Sequence, residues 1–170
     1  MALMNTWEER HLSEVRSEAL GALSHPRVEL DAATLDPMTA MPTLDVGGMA
    51  FVGVLEIPEI GLSCPVLSAG SEENGVAPIV YEGSPYAGRL VIVGGGDRDV
   101  LGRLGEMAGD EDVVVRDTLG NEFVYIADGV ETLRPTSVAR ALGEDGAEGL
   151  ILCELDSSGR VVTVVRCVVA

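Results

Sequence analysis

The 170-residue chain contains no lysine: all eleven of its basic residues are arginine. That absence removes Schiff-base catalysis and the phosphate-binding lysine of a P-loop together, because both chemistries need a primary amine. Cysteine is scarce too. Cys64, Cys153 and Cys167 form an odd set with no C-x-x-C spacing. They indicate neither a disulfide framework nor a zinc knuckle, and read as small apolar residues suited to burial. The longest apolar runs, such as Leu90–Val93 and Val161–Val165, fall far short of a membrane span. The opening MALMNTWEERHLSEVRSEAL lacks the basic start and apolar centre of a signal peptide, so the chain as given reads as soluble.

Positive charge is also in short supply. Twenty-eight acidic residues against eleven arginines give a formal charge of −17. Nucleic-acid binding rests on cations that neutralise phosphates, so a surface this negative argues against such a partner and leaves cationic ones open. What the chain does have is apolar material. With 46% hydrophobic residues over 170 positions, one domain can bury a real core.

Between Asn5 and Leu23, the residues Trp7, Leu12, Val15, Ala19, Ala22 and Leu23 recur at three- and four-residue steps. The spacing predicts an amphipathic helix within 1–24, with Thr6 as N-cap and Glu9 completing a capping box. Residues 25–46, rich in Pro, Asp, Thr and Ala without a period, read as a linker or wrapping segment. From 47 to 170 the pattern changes to short β-rich runs: AFVGVLEIP, LSCPVLS, RLVIVG, EDVVVRD, NEFVYIAD, EGLILCEL and RVVTVVRCVVA. Turn chemistry separates them, at Pro58 with Gly61, at Gly120-Asn121 and at Ser157-Ser158-Gly159. Regularly spaced short strands predict a mainly β sandwich or closed barrel. Two short helices are expected: TSVARAL, with Thr136 as cap and Gly143 as terminator, and one within Arg98–Met107.

The stretch LVIVGGGDRDVLGRL has the outline of a dinucleotide loop, with Asp117 about twenty residues on as a ribose ligand. Against it, Asp99 stands where the third glycine belongs, and Asp97 adds a second carboxylate beside the expected pyrophosphate. The rest of the chain offers hairpins instead of strand-helix alternation, so no doubly wound sheet can be assembled. The acidic groups Asp97 with Asp99, and Asp110, Glu111 and Asp112, lack EF-hand spacing and read as solvated loops, with calcium binding or carboxylate chemistry as the alternative. No cofactor and no metal is expected.

The order of segments carries a family resemblance. FVGVLEIPEIGLSCPVL resembles the opening of the sortase barrel, where G-x-L-x-I-P-x-x-G-x-x-x-P-V spans the first two strands. YEGSPYAGRLVIVGGGDRDVLGRL is similar to the segment around the sortase histidine, GDEDVVVRDTLGNEFVYIADGVETLRPT to the middle strands, and LILCELDSSGRVVTVVRC to the last two. The likeness covers 47–170 and is nearest to the class B type. It implies a closed sortase-type β-barrel of about seven or eight strands, with an N-terminal helix packed on it and one or two short helices. It also implies a cysteine transpeptidase of surface-protein anchoring or pilus assembly, in which cysteine attacks a sorting signal, histidine moves protons and arginine steadies substrate and oxyanion. Partners would be a peptide or surface-protein sorting signal, or an active sortase. The implied place is the cell surface, on an N-terminal anchor that this sequence does not show; a shortened chain or a cytoplasmic protein are the alternatives.

The three functional positions depart from the family. Its histidine follows glycine in a V-I-A-G-H-N-like segment, which here reads Val91-Ile92-Val93-Gly94-Gly95-Gly96 and puts Gly95 on the histidine. His11 and His25, the chain's two histidines, lie in the N-terminal helix and linker and read as surface residues. In the gapless register of the last two strands, Leu155 replaces the nucleophile and Val162 the arginine, while Arg166-Cys167 falls on a frequent V-R-C ending. A second register, displaced by two residues, makes Cys153 the nucleophile and Arg160 the arginine, at the cost of an insertion before Arg166. A shift of two keeps every side chain on its own sheet face, so alternation does not choose between them. Neither register supplies a histidine. The resemblance therefore implies a catalytically impaired or inactive barrel that binds a peptide or protein, with a weak cysteine enzyme using Cys153 and Arg160 as the alternative.

Overall fold

The computed structural model describes residues 14–23, 40–72, 77–143 and 148–170. Nine strands follow one another as β1 (Leu44–Val46), β2 (Met49–Ile57), β3 (Leu62–Leu67), β4 (Ile79–Ser84), β5 (Arg89–Gly95), β6 (Asp112–Asp117), β7 (Glu122–Thr136), β8 (Gly149–Leu155) and β9 (Val161–Val169). Their order in space is β1-β2-β3-β4-β5-β8-β9-β7-β6. Pairing of β2 with β6 closes this sheet into an eight-stranded barrel, and β1 is a short hairpin partner of the first part of β2. The neighbours β3–β4 and β5–β8 run parallel.

The near-continuous apolar runs are explained by cover on both faces. Along β8, Leu150 and Leu152 fill the barrel while Ile151, Cys153 and Leu155 face outward. That outer face lies beneath Leu133, Val138, Ala141 and Leu142, three of them from the short helix α2 (Val138–Leu142). Along β2, Val52, Leu55 and Ile57 point inward and Phe51 and Val54 outward, a register shift between Phe51 and Gly53 resetting the alternation. The outward pair meets the N-terminal helix, helical over residues 14–23 and called α1 here. Val15, Ala19 and Leu23, one turn apart, pack on Val46, Phe51, Val54, Leu67, Ala77 and Ile79.

Several local expectations change. Ala22, placed on the buried stripe by its spacing, is exposed. Thr6, Trp7, Glu9 and Leu12 lie outside the described residues, as do both histidines and positions 25–39 of the expected linker. The linker's last residues, Leu44–Val46, form β1. Ser137, not Thr136, caps α2: its Oγ accepts the Arg140 N–H at 3.2 Å, because Thr136 is still held in β7 by pairing with Val161.

No helix spans Arg98–Met107, only turns and a single 3₁₀ turn at Leu104–Glu106. The reason is where its donors go. Val100 N and Gly102 N both reach the Asp97 carbonyl, and Leu101 N reaches back to Gly95. Gly102 is pressed so closely on the Gly96 carbonyl that a β-carbon would lie 2.2 Å from its oxygen.

Candidate functional site

The parallel ladder of β5 and β8 runs without a break from Arg89 opposite Gly149 to Gly95 opposite Leu155. Both strands therefore end at one level. On the other side of β8, Leu155 pairs with Val161 and Glu154 with Thr163, so the register skips Val162. The three strand ends converge there. Gly95, Leu155 and Val162 line one cavity of about 480 Å³ together with Gly96, Glu154, Asp156, Ser157 and Gly159. Strand alternation places Gly95 on the outward face that carries Val91 and Val93, the face on which Leu155 also lies.

Among the described residues that line the cavity there is no thiol, imidazole or guanidinium. Its two carboxylates are in different states. Asp156 Oδ1 accepts Ser158 Oγ at 2.7 Å, Ser158 N at 2.9 Å and Arg160 N at 3.0 Å. These bonds, that of the Ser158 hydroxyl first, hold the Asp156 carboxyl below its ordinary range and fix the β8–β9 turn. Glu154 is half-buried, and a β-carbon on Gly96 would approach its Oε2 to 3.2 Å. The sequence carries one signal for Glu154, a single charge in an otherwise apolar strand.

Cys153 and Arg160 are not brought into one cavity. Cys153 is fully buried on the outward face under α2, between Val93 and Val164. Burial pushes its thiol up to about 11, with the Arg166 charge offsetting only part of the effect. Arg160 is exposed on the turn and lines a different groove, beside Tyr81 and the start of α2.

No protein-family model matches this chain, and no curated protein matches it. Solved structures do. Sortase E1 from Streptomyces coelicolor, with a tripeptide in its active site, superposes with a TM-score of 0.57 at 15% identity, over 71% of this chain and 88% of that one. Sortase C from Streptococcus pneumoniae gives 0.57 at 16% identity over 95% and 89%. Sortase A from Corynebacterium diphtheriae gives 0.57 at 12% identity over 96% and 84%. This is the sortase fold. The likeness is shared across sortase classes and is not confined to one.

Within a sortase barrel the glycine run has a steric reading for one of its members: a β-carbon on Gly94 would lie 2.9 Å from both Pro78 Cβ and Val100 Cγ1. Asp97 Oδ1 accepts Asp99 N at 2.8 Å, and Asp99 pairs with Arg16 of α1 at 3.3 Å. Asp117 is buried at the β6–β7 turn, accepting hydrogen bonds from Tyr86 Oη, Leu119 N, Asn121 N and Asn121 Nδ2.

Among the described residues, one carboxylate group has ligand atoms within 4.8 Å of one another: Glu59, Asp110 and Glu111. Asp112, Asp97 and Asp99 are not part of it. Glu111 is already engaged, its carboxylate accepting Ala108 N at 2.6 Å, Gly109 N at 2.7 Å and Asp110 N at 2.9 Å. It works as a loop staple inside the chain.

Proposed function

We propose that this protein is a non-catalytic member of the sortase family that binds peptide through the groove an active sortase would use for its sorting signal. One observation carries the reading: Gly95, Leu155 and Val162, which the resemblance puts on the positions of histidine, cysteine and arginine, line one cavity. Positioned acid–base groups contribute about a hundredfold to ten-thousandfold each, and covalent catalysis needs an accessible thiolate. Here the groups are missing and the nearest thiol, Cys153, is buried with its ionisation suppressed. The barrel around them keeps its walls, as expected where a shape is still used after its chemistry is lost. On the same reading the protein works at the cell surface; no helix among the described residues is long and apolar enough to cross a membrane.

The test is an assay with a fluorescent LPXTG-like peptide and an amine acceptor, reading cleavage and exchange by chromatography. No product above the protein-free control is expected. Turnover that disappears in Cys153→Ala would overturn the proposal and restore the weak cysteine enzyme.

A further inference from the structure

Arginine is the chain's sole basic side chain apart from histidine, and most of the described arginines are engaged by carboxylates. Arg16 pairs with Asp99, Arg89 with Glu82, Arg98 and Arg103 with Glu106, and Arg116 with Glu56 and Glu122. Arg134, Arg140, Arg160 and Arg166 form no ion pair among the described residues, in a protein of formal charge −17 where acids are plentiful, and Arg166 donates to the Ala141 carbonyl. Of these, Arg140 and Arg160 share a groove. They come from separate elements, Arg140 from α2 and Arg160 from the β8–β9 turn, yet line a single groove of about 650 Å³. Tyr81 of β4, Pro135, Ser137 and Val138 form other parts of its wall. The acid nearest in sequence to Arg160, Asp156, has its Oδ1 occupied by the turn's own donors. Gly159 borders both this groove and the cavity of Gly95, Leu155 and Val162, so the two adjoin.

We propose that this groove selects peptides with an acidic side chain, Arg140 and Arg160 together holding its carboxylate while a neighbouring apolar residue packs on Tyr81, Pro135 and Val138. The proposal rests on the peptide-binding reading and adds the class of peptide. A guanidinium fork matches a carboxylate in shape and charge, and charge-assisted hydrogen bonds of this kind are roughly twice as strong as neutral ones. Asp156 feels the charge of Arg160 but spends its Oδ1 on the donors of its own turn, which leaves positive charge on this wall for an entering carboxylate to pair with. The protein's net negative charge acts the other way at long range, but at physiological ionic strength it is screened beyond about 8 Å. It therefore disfavours polyanions more than a short peptide with one acid.

The experiment is selection of a random heptapeptide display library on the immobilised full chain and, in parallel, on the double variant Arg140→Glu/Arg160→Glu. Both side chains are exposed, so the variant is expected to melt within a few degrees of the parent. The expected result is enrichment of Asp or Glu at one position on the parent, and loss or inversion to Arg or Lys on the variant. A synthetic selected peptide should bind about tenfold more weakly when that acid is changed to its amide, an arm that needs no protein variant. Enriched peptides with no acidic preference, or with an equal preference on the variant, would overturn this inference and leave peptide binding standing. No enrichment on the parent would overturn both.

Discussion

Gly95 and Leu155 are Cα partners on the last rung of the parallel β5–β8 ladder, and Val161 pairs with Leu155 from the other side. This rung fixes which residues meet at the end of the barrel. Cys153, two rungs earlier on the same face, lies under α2 and does not line the cavity.

Thiol accessibility follows from that difference. Cys64, Cys153 and Cys167 are at most 3% exposed, and burial raises Cys64 and Cys167 to about 12 and Cys153 to about 11. In the native protein at pH 8, none should react with an aromatic disulfide reagent faster than the protein opens, whereas all three react in denaturant. Ser157→Cys, at an exposed position on the rim of the same cavity, should add one thiol that reacts at least ~10-fold faster than the rest, since thiol reactivity tracks access and thiolate fraction. A fast native thiol that vanishes in Cys153→Ser would contradict the placement.

The loop after β5 depends on one close contact. Gly102→Ala drives a β-carbon into the Gly96 carbonyl and should destabilise by about 2 kcal/mol, the usual scale of overpacking. Gly105→Ala has nothing within 4 Å of the added carbon and should stay within about 0.5 kcal/mol of the parent. Urea denaturation of the two variants side by side makes the comparison; equal losses would show that the contact does not constrain the loop.

Asp117 is the buried centre of the β6–β7 turn. Asp117→Ala strands the donors of Tyr86, Leu119 and Asn121, and should cost about 3 kcal/mol or more. Tyr86→Phe removes one of these bonds and keeps the edge-on contact with Phe123, so a loss of about 1.5 kcal/mol is expected. Chemical denaturation reads both, and a Tyr86→Phe loss as large as that of Asp117→Ala would refute the assignment.

Glu111 makes part of the stability acid-sensitive. Burial raises its carboxyl, but the N–H groups of Ala108, Asp110 and Gly109 outweigh that effect and leave it below the ordinary range. A group depressed in the folded state stabilises fully above its unfolded value, near 4.3 for glutamate, and that contribution fades as pH falls through the lower folded value. Glu111→Gln should therefore be less stable than the parent by about 1–2 kcal/mol at pH 7, and the gap should close toward pH 3. Melting curves across that range test it, and a gap independent of pH would count against a charged staple.

Most strands are legible in the sequence because burial on both faces forces apolar residues into every position, as in AFVGVLEIP and EGLILCEL. β4 is not, since only Ile79 and Val80 of its first five residues are buried and Tyr81, Glu82 and Gly83 face water. The second half of β7 is equally hidden to composition. GVETLRPT falls outside the β-rich runs and only the resemblance includes it among the middle strands; Glu131 and Thr132 pair with Val164 and Thr163, so a partner strand overrides local preference. In the site, the resemblance that puts Gly95 on the histidine position, and the three cysteines, are read residue by residue from the sequence. Glu154 and the Arg140–Arg160 groove are not, because the residues that form them are far apart along the chain.

The sequence by itself determined that this chain is mainly β, with the barrel implied only by the resemblance of its segments, and that it lacks lysine and, near the strand ends, histidine; composition and periodicity are local properties and need no partner to be read. Which of Cys153 or Leu155 shares a cavity with the end of β5 was decided only by tertiary structure. Two registers separated by two residues present identical faces, and only the rung-by-rung pairing of β5, β8 and β9, with α2 laid over one side, sets the level at which the strands end.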